Sequence, residues 1–480
     1  MLSSHLSHIT ALALSLPTLI LATCNSTQTC KITPADASWP SSADWTAFNT
    51  SISGTLIKTL PPASSCYTGN PFNSTQNCSS VQTNWNLATW QAETPEGIDY
   101  PIYANNSCLP TDATGYQDGK GCDIGGSPIY VVNATTEDHV STAMKWATER
   151  NIRVVIKGSN STADVLIAGS GNNLKLVYTA ADEAGKTIVG GDAKNSHPAV
   201  SFVSVVKLEV TPLGSENDTT TASAAWNALA ILFQNFPDLM DNGLAGQLTA
   251  ATGYLAQAFS GSESTPPGVY FSQVFYGYNT STSEMATLIS PLIEKMGDIS
   301  NGSLSINYTV TAVYDSYLDF FYGNNPGEEA AGQVSFLSTH LLGRTEMIVG
   351  LQGGPGPARV PENMRGSLNP VWRETYLHVI TLGATVDTTL TAKKSLAQAA
   401  EWMQQNKEEL WREWAPDMGA YINEGNPYNT EWKHDFFGIS YDRLAEIKKK
   451  YDPTGSLYIL AGVGSDEWDY DLDTGKLCRV

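Results

Sequence analysis

Hydrophobic residues along this chain recur at two spacings, one typical of helices and one typical of strands. A short apolar run at 129–133, a helical pattern that Thr136 can cap and a second apolar run at 152–156 predict a compact β-α-β unit. The pattern then predicts a helix at 174–184 and a strand at 202–210.

From about residue 216 both kinds of pattern become longer. They predict helices at 222–236, 246–259, 282–297 and 388–414, and strands at 269–278, 305–313, 333–341 and 376–382. Antiparallel strands with helices on one face suit an α+β domain. The expected fold class is therefore α+β.

A last helical pattern lies near the C-terminus. It begins at Ser440, a residue type that caps helices, and Asp442 in its first turn complements the helix dipole. Pro453 and Gly455 end the helix, and the apolar run 457–460 predicts a short strand after it.

The charge balance excludes some partners. The 480 residues carry 27 Lys and Arg against 48 Asp and Glu, a net charge of −21 at pH 7. Such a surface repels phosphate backbones and anionic lipids, so neither nucleic acid nor a membrane is an expected partner. At 41% hydrophobic residues the chain can still bury large cores.

The N-terminus and the glycosylation motifs indicate a secreted protein. Residues 9–22 form an apolar stretch of signal-peptide length, too short to span a bilayer. N-x-S/T motifs recur along the chain, which favours a secreted, N-glycosylated protein. They begin at Asn25, Asn49, Asn73, Asn77, Asn105, Asn133, Asn160, Asn217, Asn279, Asn301 and Asn307.

The cysteines agree with an oxidising compartment. Three locally spaced couples occupy the first quarter of the chain, and one further cysteine stands near its end: Cys24, Cys30, Cys66, Cys78, Cys108, Cys122 and Cys478. Six of them can form three disulfides and leave one odd thiol. Local pairing and a bridge from Cys478 back to the N-terminal segment are both compatible with the spacing. No C-x-x-C motif occurs, so no metal site is expected.

Several strings of the sequence resemble one enzyme family. Residues 432–468, WKHDFFGISYDRLAEIKKKYDPTGSLYILAGVGSDEW, are similar to the closing segment of berberine-bridge-enzyme-like flavin oxidases of the vanillyl-alcohol-oxidase superfamily. Residues 128–158 resemble the opening of the flavin-binding domain in the same family, and weaker matches lie at 369–380 and 419–424. The resemblance covers about half of the chain.

The resemblance implies a two-lobed, PCMH-type FAD-binding domain, incomplete here, and a substrate domain of antiparallel sheet covered by helices. The expected organisation along the chain is a signal peptide, a disulfide-rich segment, the truncated FAD domain, the substrate domain and a berberine-bridge-like segment that returns to the FAD domain. Their bounds are 1–22, 23–125, 126–215, 216–418 and 419–480.

The resemblance also implies where FAD binds. The loop Lys157, Gly158, Ser159 and Asn160 would approach the pyrophosphate, and Gly190 with Gly191 would begin a second glycine-rich stretch. The family has Thr-Gly-His at 159–161, with the His bonded to the flavin, whereas this chain has Ser-Asn-Ser. FAD is therefore expected to bind non-covalently. Segments of the flavin domain are missing here, through evolution or through an imperfect gene model.

The resemblance places the chemistry near residue 421. Tyr421, Asn423 and Glu424 would lie over the flavin ring, with Tyr421 or Glu424 as the base. The alternative is a core aromatic and a surface carboxylate. Ser440 and Tyr441 would pack beside the cofactor.

His378 has two interpretations as well, as a group facing the substrate or as a satisfied strand histidine.

The leading hypothesis is a secreted, monomeric FAD-linked oxidase that acts on an alcohol, a sugar or a secondary-metabolite intermediate, with O2 as acceptor. The alternative is a degenerate relative without cofactor that binds a ligand or has no function. A hydrolase is less favoured, because neither G-x-S-x-G nor H-E-x-x-H occurs in the sequence.

Overall fold

The computed structural model describes residues 29–97, 101–157, 200–324, 346–381 and 383–480. Its strands are β1 Leu56–Lys58, β2 Tyr130–Val132, β3 Val203–Pro212, β4 Leu244–Thr252, β5 Val269–Tyr278, β6 Leu304–Tyr314, β7 Glu346–Leu351, β8 Leu377–Thr381, β9 Trp468–Tyr470 and β10 Leu477–Arg479. Its α-helices are α1 Ser42–Ser51, α2 Cys78–Asn84, α3 Ala88–Glu93, α4 Glu137–Glu149, α5 Thr219–Asp241, α6 Gly253–Ser260, α7 Thr282–Ser300, α8 Tyr317–Asn324, α9 Pro355–Ala358, α10 Ala392–Met403, α11 Glu409–Trp414 and α12 Tyr441–Tyr451.

A six-stranded antiparallel sheet dominates the described part of the chain. Its strand order is β6-β3-β5-β4-β7-β8, so β6 and β8 are its outer strands. The central strands are long and rich in Val, Phe and Tyr, residue types that fit a pleated surface buried on one side or both. An α+β fold with helices on an antiparallel sheet was predicted, and it is confirmed.

Two long helices cover one face of this sheet. The side chain of Asp218 caps α5, and a capping box between Ser281 and Glu284 begins α7. The apolar faces of both helices pack on the strands, where Phe236, Phe271 and other side chains are fully buried. Burial of about 25 cal/mol for each Å² of apolar surface makes this layer the main core of the described chain.

The opposite face of the sheet is covered over only part of its width. Tyr317 and Phe320 of α8 pack against Tyr276, Tyr278 and Tyr314 near the β6 side. At the other side the outer strand β8 faces a cavity, described below.

The two ends of the chain meet in a separate layer. Trp45 and Phe48 of α1 stack with Tyr130 and Trp146 next to the β1–β2 pair. Near β10, Cys30 is bonded to Cys478, and the other disulfides are Cys66–Cys78 and Cys108–Cys122. The sequence left the pairing open, and both kinds form: two local disulfides, and the bridge from Cys478 to the N-terminal segment.

Some predicted elements are wrong. Residues 246–259, predicted as one helix, form most of β4 and then α6, because β4 is paired on both sides, with β5 and with β7. Pairing on both sides outweighs the helix preference of its alanines. The predicted strands at 152–156 and 457–460 reduce to isolated bridges, among them Val154 with Leu457.

Ser440 is not a helix cap. It is the last residue of a 3-10 turn, Gly438–Ser440, its backbone is already helical, and its side chain makes no capping bond. The helix predicted at 388–414 is present as α10 and α11 with a π-turn, Gln404–Glu408, between them.

The predicted helix 174–184 and the predicted strand 333–341 lie outside the described residues, and β7 was not predicted. The domain bounds stay a prediction.

Among the helices that the structure describes, none is both long and apolar enough to cross a bilayer.

We expect the Cys30–Cys478 disulfide to stabilise the fold more than a local one does. It links residues 448 positions apart, whereas Cys66–Cys78 spans 12, and a longer loop loses more unfolded-state entropy when it is closed. Replacing both Cys30 and Cys478 by Ser should lower the unfolding free energy by about 3 kcal/mol or more. Urea denaturation checks this, and an equal or smaller loss than in the Cys66→Ser/Cys78→Ser control would contradict it.

We expect stability to depend on pH through Lys31. Its side chain is 2% exposed, and its Nζ donates hydrogen bonds to the Thr454 carbonyl oxygen (2.7 Å) and Ser456 Oγ (3.3 Å). Burial lowers the pKa of the Lys31 amine from 10.5 to about 8, against the opposing charge of Asp452. Between these values the unfolded chain binds more protons, so the unfolding free energy rises with pH.

Relative to a Lys31→Met variant, the wild type should therefore gain stability as the pH rises from 8 towards 10.5. Urea denaturation at several pH values across that window measures the difference. A difference that stays constant with pH would show that the buried amine keeps its ordinary pKa.

Candidate active site

A cavity of about 540 Å³ lies between the outer strand β8, helices α10 and α11 and the segment 415–429. Sites for small molecules and cofactors occupy roughly 300–1,000 Å³, so the volume fits such a ligand. Its walls are mostly apolar and include Phe233, Met347, Trp372, Leu377, Val379, Leu396, Met403 and Trp411.

Two of the predicted catalytic residues line this cavity. Tyr421 and Glu424 lie in the segment after α11, and their side chains are partly exposed, Tyr421 by 40%. Nδ2 of Asn423, another predicted residue, donates a 2.6 Å hydrogen bond to Tyr421 Oη. Tyr421 is thus not a core aromatic, and Glu424 is not a remote surface carboxylate. Their roles in catalysis stay predictions.

His378 of β8 faces the same space. Its Nε2 lies 3.2 Å from Glu424 Oε2, and its ring stands edge-to-face with Trp372 and Tyr421, at centroid distances of 5.3 and 6.0 Å. The histidine therefore both lines the cavity and has a carboxylate partner, so its two interpretations are not exclusive. A carboxylate and an imidazole at this distance can hold and exchange a proton.

Close backbone approach fixes the segment that carries Tyr421 and Glu424. The Ala420 N–H donates to the Asp435 carbonyl oxygen at 2.8 Å, and Asn369 Nδ2 donates to the same oxygen at 3.0 Å. A Cβ on Gly419 would lie 2.5 Å from that oxygen, so only glycine allows this approach.

The Asp435 carboxylate fixes the other wall. Its Oδ2 accepts hydrogen bonds from Arg412 Nη2 (3.0 Å) and Asn429 Nδ2 (2.7 Å), and its Oδ1 lies 2.9 Å from His434 Nδ1. Arg412 Nη2 also donates to Asn429 Oδ1 at 2.7 Å. One aspartate thus ties helix α11 to the loop that closes the cavity.

Glu408 extends this network into the π-turn. It is 6% exposed, and Asn426 Nδ2 donates to its Oε1 at 2.7 Å. Burial raises the pKa of the Glu408 carboxyl, while the Asn426 hydrogen bond and the Arg412 charge oppose the rise. π-turns inside helices are frequent at functional sites, and this one turns Glu408 into the cavity wall.

Other predicted residues lie apart from the cavity walls. Tyr441 Oη donates to Asp466 Oδ1 at 2.8 Å, and burial together with this carboxylate raises the pKa of Tyr441 to about 12. Ser440 precedes it and is not among the residues lining the cavity. Lys157 Nζ donates to the carbonyl oxygens of Gln91 and Thr94 at 2.8 and 2.6 Å.

The remaining predicted cofactor residues, Gly158, Ser159, Asn160, Gly190 and Gly191, lie outside the described residues.

Three residues of the site, Trp372, Arg412 and Asp435, were not predicted from the sequence. Trp372 lies in the string 369–380 that resembled the family, so the signal was present. Arg412 and Asp435 are separated by 23 residues, and no local pattern indicates that they pair.

The described residues fit the ring of a flavin better than its phosphates. The cavity offers a mostly apolar space lined by Trp372 and Tyr421, as a fused ring system requires. Lys157, expected near the pyrophosphate, directs its amino group to backbone carbonyls. Tyr421, Glu424 and His378 line the cavity and would meet the ring, whereas Asn423 would act through its hydrogen bond to Tyr421 Oη.

We expect Asp435→Asn to destabilise the protein by about 2–4 kcal/mol, because an amide cannot replace a carboxylate that accepts bonds from both Arg412 and Asn429. Glu446→Gln is the control. It breaks a pair with Arg443 whose side chains are 74% and 69% exposed, which should cost at most about 0.5 kcal/mol. Urea denaturation measures both, and equal losses would contradict the role of Asp435.

Comparison with known proteins gives one consistent result. A family model described as "Berberine and berberine like" matches residues 420–461, the part that holds Tyr421, Glu424 and Asp435. The FAD-linked oxidoreductase apf9 of Gibberella fujikuroi is 24% identical, over 94% of this chain and 97% of that protein. The VAO-type flavoprotein oxidase VAO615 of Thermothelomyces thermophilus is 25% identical, over 95% of this chain and 96% of that one.

Solved structures agree on the fold. The VAO-type flavoproteins MtVAO615 and MtVAO713 from Myceliophthora thermophila C1 each superpose with a TM-score of 0.72 at 20% identity. They cover 94% and 95% of this chain, and 100% of their own chains are matched. The family match and the two relatives confirm the resemblance found in the sequence: the chain is similar to berberine-bridge-like, FAD-linked oxidoreductases, and its fold is that of VAO-type flavoproteins.

Proposed function

We propose that the chain oxidises a small, largely apolar molecule in the cavity beside β8, with FAD as cofactor and O2 as the final acceptor. The observation that carries the proposal is the meeting of Tyr421, Glu424 and His378 at one end of an apolar cavity of about 540 Å³. An alcohol or an activated C–H group needs a base at such a position. The relative VAO615 is named an oxidase, which supports the choice of O2.

Different residues of the chain would have different roles in the reaction. Glu424 accepts the proton that the substrate loses, and His378, 3.2 Å away, orients that carboxylate. Asn423 donates to Tyr421 Oη, which leaves the phenolic O–H free to donate to a substrate oxygen. The apolar walls exclude water, which strengthens each of these interactions. Bound FAD supplies the two-electron acceptor.

We also propose a secreted, N-glycosylated monomer that binds FAD non-covalently. The described asparagines of the glycosylation motifs include several on the surface, among them Asn73, Asn133, Asn217, Asn301 and Asn307. Three disulfides suit an oxidising compartment. Ser-Asn-Ser at 159–161 lacks the histidine to which the family bonds its flavin.

A second candidate is a relative that has lost the cofactor. The alignment with apf9 extends over 585 positions, more than the 480 residues of this chain, so the relative carries segments that this chain lacks. Losses within the flavin domain would leave the cavity and remove the phosphate contacts. This second candidate is therefore a binding protein that uses the same cavity.

An absorption spectrum of the purified protein distinguishes the two candidates. Flavin bands that move to the supernatant on acid precipitation are the expected result, since residues 159–161 lack the histidine to which the family bonds its flavin. Bands that stay in the pellet would contradict non-covalent binding. A folded, colourless protein that takes up no added FAD would refute the oxidase and favour the second candidate.

We expect Glu424→Gln to lower kcat on the order of 10²–10⁴-fold, because the substrate proton then has no carboxylate to accept it. The flavin spectrum should remain unchanged. Asp417→Asn is the control, since Asp417 is exposed in the same segment but does not line the cavity. Stopped-flow flavin reduction measures the effect, and similar rates in both variants would exclude Glu424 as the base.

A further inference from the structure

The charges in the cavity wall are unevenly divided between the two signs. The described lining residues include three carboxylates, Glu408, Glu424 and Asp435, and one guanidinium, Arg412. His378 is the remaining titratable base among them, so negative groups outnumber positive ones in an otherwise apolar wall. A wall of this kind stabilises some ligands and repels others according to their charge.

The positive charge of Arg412 is neutralised by carboxylates of the protein itself. Its Nη2 bonds to Asp435 at 3.0 Å and to Asn429 at 2.7 Å, and its Nη1 lies 3.6 Å from Glu408 Oε2. A guanidinium held by two carboxylates offers no net positive charge to a ligand. It therefore cannot serve as the clamp that a substrate carboxylate or phosphate requires.

The imidazole of His378 also has a carboxylate partner within the protein. Glu424 Oε2 lies 3.2 Å from its Nε2, so a proton on His378 is balanced by a carboxylate already beside it. An anionic ligand at this end of the cavity would meet Glu424 directly. The side chain of Glu424 is 41% exposed, against 29% for Arg412, so Glu424 is the most exposed charge among the described lining residues.

We propose that this cavity selects aromatic or polycyclic molecules that are neutral or cationic, and rejects those that carry a carboxylate, sulfate or phosphate. The aromatic side chains Trp372, Trp411, Tyr421 and Phe233 supply flat apolar contacts for such rings. A cationic group would in addition meet Glu424 and the faces of these rings. The inference rests on the proposed function only in using the same cavity, and it requires neither flavin nor turnover.

The local charges are distinct from the field of the whole protein. A net charge of −21 also repels anions, but salt screens that field, with a Debye length of about 10 Å at 0.1 M and 3 Å at 1 M. Contacts inside the cavity are much less screened. A difference in affinity between neutral and anionic ligands that persists at high salt is therefore due to the charges of the cavity wall.

Three probes with the same ring system test the selection: 2-naphthalenemethanol, 2-naphthalenemethylamine and 2-naphthoate, measured by equilibrium dialysis against the purified full chain. We expect the alcohol and the amine to bind and the acid to bind at least about tenfold more weakly, at 0.1 M and at 1 M salt. Equal or tighter binding of the acid overturns the proposal. So does the absence of binding by all three probes, or a preference that disappears at 1 M salt.

Two variants test whether the preference for uncharged ligands depends on the cavity wall. Glu424→Gln should reduce the preference for the alcohol over the acid severalfold, whereas Asp417→Asn, the same change of charge outside the cavity lining, should leave it unaltered. Equal effects of both variants would place the discrimination outside the cavity and overturn the proposal. A colourless protein that prefers the alcohol and the amine to the acid would refute the proposed oxidase activity and support the proposed ligand selection. A yellow protein without that preference would support flavin binding and refute the ligand selection.

Discussion

The cavity depends on the hydrogen bonds of Asp435. Its carboxylate holds Arg412 of α11 and Asn429 of the closing loop, and its carbonyl oxygen holds Ala420 and Asn369. One residue therefore fixes both walls that face β8. A partly buried aspartate with so many donors is costly to disturb, and this accounts for a segment without regular secondary structure that nonetheless presents Tyr421 and Glu424 in fixed positions.

The sheet supplies the fixed reference for this arrangement. Strands β3, β4 and β5 are paired on both sides and buried under α5 and α7, so the outer strand β8 is anchored through β7 to a rigid core. His378 lies on that strand and reaches Glu424 across the cavity. The proposed chemistry thus lies between a rigid strand and a hydrogen-bonded loop, and functional residues are often found on loops that a rigid scaffold positions.

The sequence predicted the sheet where strand and helix patterns were distinct. The strand predicted at 269–278 coincides with β5, and the helix predicted at 282–297 lies within α7, because alternating aromatics and a capping box are local signals. Strand β4 was mistaken for a helix, since its alanines favour helix until two neighbouring strands pair with it. Tyr421 and Glu424 came from family resemblance, whereas Arg412 and Asp435 could not be predicted, because their pairing depends on the tertiary fold.

We propose that the flavin ring and the substrate meet at the cavity beside β8. A crystal structure of the protein grown with FAD tests it most directly. We expect ring density in contact with the residues around Tyr421 and Glu424, with the Asp435 network unchanged. Flavin density bound away from this cavity, or a cavity that remains without flavin while FAD is bound elsewhere, would contradict it.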